Sequence, residues 1–144
     1  MTQTVTLELP DTIYQTAQRM AEATKRSLAE LLVRALKASL PPLEGLPQAL
    51  FAELVNLEKL DDETLSHVML AQVPATQQRK LNRLLQKNKS GKLTESERME
   101  LATLQNEADR VMLRKARAAV LLRFRGHRLP TLAELRKLSR SKAK

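Results

Sequence analysis

Thr4-Val5-Thr6-Leu7-Glu8-Leu9-Pro10 is the stretch on which the reading of this chain turns. Val5, Leu7 and Leu9 alternate with Thr4, Thr6 and Glu8, the period of a half-buried strand, and no other strand signal occurs in the sequence. Pro10 ends it. Asp11 or Thr12 can then cap a helix whose apolar side is Ile13, Ala17, Met20 and Ala21, at steps of three and four, and which stops near Thr24 and Lys25. Ser27-Leu28-Ala29-Glu30 has the spacing of a capping box and opens a second helix over Leu28, Leu31, Leu32, Ala35 and Leu36. A lone strand has two unpaired edges, so its expected partner is its own copy across a twofold axis. A homodimer is therefore expected.

Outward from this module, Pro41-Pro42-Leu43-Glu44-Gly45-Leu46-Pro47 excludes helix and sheet. The expected domains are residues 1–40, a linker over 41–47, and a basic all-helical partner-binding region over 48–144. Gln48 to Leu60 carries the stripe Leu50, Leu54 and Leu57, and Asp61 or Asp62 can cap a short helix over Leu65, Val68 and Met69. Residues 75 to 89 place Leu81, Leu84 and Leu85 on one face. Gly91 breaks that pattern, and Thr94-Glu95-Ser96-Glu97 opens the longest helix, to about Phe124, with Leu101, Leu104, Ala108, Val111, Met112, Ala119 and Leu122 expected inward. The two are expected to form an antiparallel helix hairpin. Thr131-Leu132-Ala133-Glu134 opens a short last helix that leads into a tail from Ser139 to Lys144.

The fold class expected is thus mostly α, with one amino-terminal strand. There is no cysteine, and His67 and His127 are isolated, so no metal site and no cofactor are expected. No stretch approaches the roughly 20 apolar residues of a membrane span, and the amino terminus has no basic, apolar leader, so a cytoplasmic protein without membrane contact is expected. No catalytic set emerges either: Ser90-Gly91-Lys92-Leu93-Thr94 lacks the earlier glycine and the hydroxyl of a phosphate-binding loop, and Asp61-Asp62-Glu63 reads as a helix cap. A binding protein is expected, with no enzymatic activity and no small-molecule substrate.

The order of strand and two helices, the residues Val5-Thr6-Leu7-Glu8-Leu9-Pro10 and the turn Thr24-Lys25-Arg26-Ser27 together resemble the ribbon-helix-helix family of the Arc, MetJ and CopG repressors and many antitoxins. The resemblance covers residues 3–40. It implies an intertwined dimer whose two-stranded ribbon enters the major groove of double-stranded DNA, with Thr4, Thr6 and Glu8 at base edges. It further implies a phosphate held at the start of the second helix by the Ser27 and Leu28 N–H groups with Arg26 beside them. Two departures stand out: Glu8 where the family has a basic or amide reader, and Lys25 where its turn commonly has glycine. Left-handed backbone at Lys25 costs on the order of 1 kcal/mol. Thr4 and Thr6 also suit a plain solvated strand face, and Ser27 a plain cap.

Net charge is +9, and its distribution is uneven. Residues 1–47 hold five basic and five acidic side chains, residues 48–144 hold 20 and 11. Residues 79–92 carry Arg79, Lys80, Arg83, Lys87, Lys89 and Lys92, and residues 110–128 carry Arg110, Arg114, Lys115, Arg117, Arg123, Arg125 and Arg128, with no acid in either stretch. Arg79, Lys80, Arg83, Arg110, Arg114, Arg117, Arg123, Arg125 and Arg128 are the expected contacts to a polyanion or an acidic partner, set against a plain reading as solvated helix faces. Tyr14, Phe51 and Phe124 are too few to build stacking platforms for single strands. The expected function is a DNA-binding transcriptional regulator, an antitoxin-type autorepressor whose carboxy-terminal region holds a partner such as a toxin nuclease. The alternative is a dimeric adaptor that grips an acidic protein or RNA.

Overall fold

The computed structural model describes residues 1–142, and every regular element among those residues is a helix, without a strand. Seven α-helices run in order: α1 (Asp11–Thr24), α2 (Leu28–Ser39), α3 (Gln48–Asn56), α4 (Asp62–Leu70), α5 (Ala75–Lys89), α6 (Glu95–Phe124) and α7 (Leu132–Lys142), with a 3-10 turn (Leu57–Lys59) after α3. The chain divides into two compact units, residues 1–42 and 43–144.

The first unit corrects the expected fold class. Thr4 to Leu9 forms no strand: residues 1–10 carry no regular secondary structure, so the strand of a ribbon-helix-helix module, and with it the ribbon of an intertwined dimer, is absent among the described residues. The reason is that alternation names an apolar face but does not supply an edge, and no other segment among the described residues has a ladder to offer. Val5 and Leu7 are left 75% and 65% exposed. Beyond them the unit consists of two helices. Pro10 precedes α1 and its carbonyl accepts from the N–H groups of Ile13 and Tyr14 at 3.0 and 2.9 Å, so neither Asp11 nor Thr12 is the cap; both lie inside the first turn. There the Asp11 charge meets the positive end of the helix.

Lys25 takes the left-handed conformation (φ 53°, ψ 43°) and closes α1, with its N–H donating to the Glu22 carbonyl and that of Arg26 to the Ala21 carbonyl. Ser27 caps α2, its hydroxyl accepting from the Glu30 N–H at 3.2 Å. The unit buries little: Ala17 and Ala21 are its fully buried apolar residues, and α2 has none.

The second unit has two centres of packing along α6. Toward its start, α6 lies against α5, with Leu81, Leu84 and Leu101 buried and Leu85, Leu93, Leu104 and Ala108 packed around them. Lys80 pairs with Glu100 and Lys87 with Glu97, so the helices run antiparallel. Toward its end, α6 packs against α3, the 3-10 turn and α4, where Leu54, Leu57, Leu65, Ala118, Leu121 and Leu122 are buried. Met112, expected inward, is instead 67% exposed and faces an open depression lined by the end of α4, the middle of α6 and α7. Both later capping boxes are complete. Thr94 accepts from the Glu97 N–H while the Glu97 carboxylate accepts from the Thr94 N–H, and Thr131 and Glu134 repeat the exchange. Asp61 caps α4 by accepting from the Thr64 N–H at 2.7 Å. The last helix continues through Lys142, past Ser139 where a tail was expected; Ala143 and Lys144 of that tail lie outside the described residues.

Candidate nucleic-acid and partner interface

Thr4, Thr6 and Glu8 lie exposed in the irregular segment before α1. Without a ribbon the structure gives them no common face. Arg26 and Ser27 are exposed and Leu28 half-buried at the start of α2, where the free N–H groups of a 12-residue helix point outward.

In the second unit, most of the arginines read as polyanion contacts are occupied by the chain's own carboxylates. Glu53 on α3 accepts from Arg110 at 2.6 Å and also from Arg114, two side chains one turn apart on α6. The Arg110 hydrogen bond, opposed by burial and reinforced by Arg114, holds the Glu53 carboxyl below the ordinary glutamate range. Arg117 is buried and donates to Glu58 at 2.6 Å. Arg125 donates to the backbone carbonyls of Glu58 and Leu60 and to Asp62 Oδ1 at 2.8 to 2.9 Å, so it ties the end of the 3-10 turn to the start of α4. His127 Nε2 meets Asp62 Oδ2 at 2.6 Å, and Arg125 first, then His127, draw the Asp62 carboxyl down. Arg128 pairs with Glu134. These partners lie 57 to 67 residues away for Arg110, Arg114, Arg117 and Arg125, too far apart for any local pattern to reveal.

What stays open is the outer face of α5. Thr76, Arg79, Lys80 and Arg83 follow helix spacing and line one shallow depression. No acid occurs in α5. Lys80 is paired with Glu100, and among the described residues no ion pair involves Arg79 or Arg83, nor Arg123 at the end of α6.

Two apolar depressions have no counterpart among the sequence expectations. One, between α1 and α2, has a volume of about 570 Å³ and is walled by Ile13, Ala17, Met20, Leu31, Leu32 and Ala35. The other, of about 950 Å³, lies between the end of α4, the middle of α6 and α7. The individual apolar residues are legible in the sequence, but which helices meet over them is not. Among the described residues no group of three His, Cys, Asp or Glu side chains is placed to hold a metal ion, and no helix is long and apolar enough to cross a membrane.

No family model, curated protein or solved structure matches the chain.

Proposed function

We propose that this chain is a cytoplasmic, dimeric DNA-binding regulator of the antitoxin type, in which the first unit joins two copies and the second unit grips phosphate and holds a partner protein. It is a binding protein, not an enzyme. The observation that carries the phosphate contact is the acid-free α5, where Arg79 and Arg83 stand one turn apart along one shallow depression and enter no ion pair among the described residues. Such cations displace the counterions condensed on duplex DNA, and each contact steepens the salt dependence of binding. The exposed start of α2, with Arg26, Ser27 and the Leu28 N–H, can add contacts at phosphates.

Dimerisation is supported by the poverty of the first unit's own core. A unit of 42 residues whose buried apolar residues are two alanines cannot bury enough surface to stand alone. The depression between α1 and α2, together with Val5 and Leu7, offers the apolar area that a second copy would cover. Small folds of this size commonly depend on association.

The test is the Arg79→Ala, Arg83→Ala double variant of the full chain, titrated with duplex DNA between low and moderate salt. The log–log salt slope should fall by about 2 for each copy in contact with the duplex, close to 0.9 for each phosphate no longer neutralised. An unchanged slope refutes phosphate binding by α5. The second reading, a dimeric adaptor without DNA binding, is favoured by the neutral first unit and by the internal pairing of Arg110, Arg114, Arg117 and Arg125. Self-association without any salt-dependent DNA binding would select it.

A further inference from the structure

We infer that the groove between the end of α4, the middle of α6 and α7 docks an acidic amphipathic helix of a partner protein. This rests on the reading that the second unit holds a protein partner, and it names the surface and the chemistry of that partner.

The floor and walls of the groove are apolar, with Met69, Val73, Val111, Met112, Leu132 and Leu135 among them. Met112 and Leu132 are 67% and 64% exposed, which is a cost in water that an apolar ligand face removes. Two of these side chains are methionines, whose unbranched thioethers adjust to the shape of what they receive. A volume of about 950 Å³, open along helices, suits the apolar side of a helix that presents anchors every three or four residues.

Charge fixes the partner's character. Lys115 on α6 and Arg136 and Arg140 on α7 stand among the lining residues, and no aspartate or glutamate does. Among the described residues none of the three cations enters an ion pair, in contrast to Arg110 and Arg114 farther back along α6. Arg136 and Arg140 are four residues apart on one helix, so they rise about 6 Å from each other and match carboxylates placed one turn apart on a partner helix. Lys115 lies on α6, so carboxylates on both borders of the docked apolar face find a cation. A basic helix would meet three like charges and be rejected.

The experiment uses the full chain and three probes: a fluorescent stapled helix about four turns long with leucines on one face and glutamates on its borders, the same helix with lysines for the glutamates, and vesicles of phosphatidylserine and phosphatidylcholine. Saturable binding of the glutamate helix and not of the lysine helix is expected. Arg136→Glu with Arg140→Glu should weaken the glutamate helix at least tenfold and admit the lysine helix. Met112→Glu should abolish binding; both sites are exposed, and retained helical circular dichroism shows that the variants fold. No binding of the glutamate helix, equal binding of both helices, or binding of vesicles alone would overturn the inference. Measuring DNA affinity on the same variants separates the two readings, because loss of the helix with unchanged DNA binding concerns the groove, whereas loss of the α5-dependent salt slope concerns DNA.

Discussion

Arg117 on α6, 7% exposed, donates to the Glu58 carboxylate at 2.6 Å and so places a charge inside the joint between α6 and the 3-10 turn. A side chain this deep cannot reach a polyanion without leaving the core, and its first role is to hold α6 against the preceding helices. Its aliphatic stem packs as well as its guanidinium pairs. Arg117→Ala should therefore lower stability by about 1–3 kcal/mol, while Arg117→Met, which keeps the stem, should recover part of the loss. Urea unfolding of the two variants measures this, and equal losses would assign the effect to the ion pair alone.

Glu53 withholds two arginines from solution. Glu53→Gln removes the charge that Arg110 and Arg114 share, so the variant should be less stable by about 1–2 kcal/mol yet bind duplex DNA more tightly, with a steeper salt slope. Thermal unfolding and DNA titration on the same sample check both halves. Tighter binding without destabilisation would mean that the Glu53 pairs contribute nothing to the fold.

Strong acid should loosen the start of α7 at its capping box. Arg128, and after it the Thr131 N–H, hold the Glu134 carboxyl down at about 2, below its ordinary value of 4.5. The folded value lies below the unfolded one, so the contribution is fully present above pH 4.5 and is lost as pH falls through 2. Glu134→Gln should abolish that part of the acid transition. A carboxyl titration followed by NMR, giving an ordinary glutamate value at position 134, would contradict it.

Lys25 sits in left-handed backbone that glycine adopts without strain. Lys25→Gly should stabilise the first unit by up to about 1 kcal/mol, offset in part by the freer unfolded chain. Its melting temperature, compared at one fixed protein concentration, reads the balance.

What could be read from the sequence was what neighbours in the chain decide. Thr94 with Glu97, Thr131 with Glu134, Asp61 before α4 and the turn at Lys25 all act over three or four residues, and each stands in the structure where its spacing put it. The alternation of Val5, Leu7 and Leu9 is just as local, but a strand also needs an edge, which lies outside any local pattern. The same limit hid the candidate site. The basic run from Arg110 to Arg128 is plain in the sequence, whereas Glu53, Glu58 and Asp62, which take up Arg110, Arg114, Arg117 and Arg125, belong to helices brought in by the fold. Along α5, whose whole length lacks an acid, Glu100 and Glu97 of α6 take up Lys80 and Lys87, while Arg79 and Arg83 enter no ion pair among the described residues.

The thirty residues of α6 extend about 45 Å and answer to two sets of neighbours, α5 at one end and α3 with α4 at the other. A continuous helix can thus belong to two cooperative unfolding units. In native-state hydrogen exchange the amides near Leu101 and Leu104 should exchange together with those of α5, and the amides near Leu121 and Leu122 with those of α4. The crossover should fall near Met112, whose side chain meets neither core. The backbone there is the natural place for the helix to fray in the middle while both of its ends stay protected.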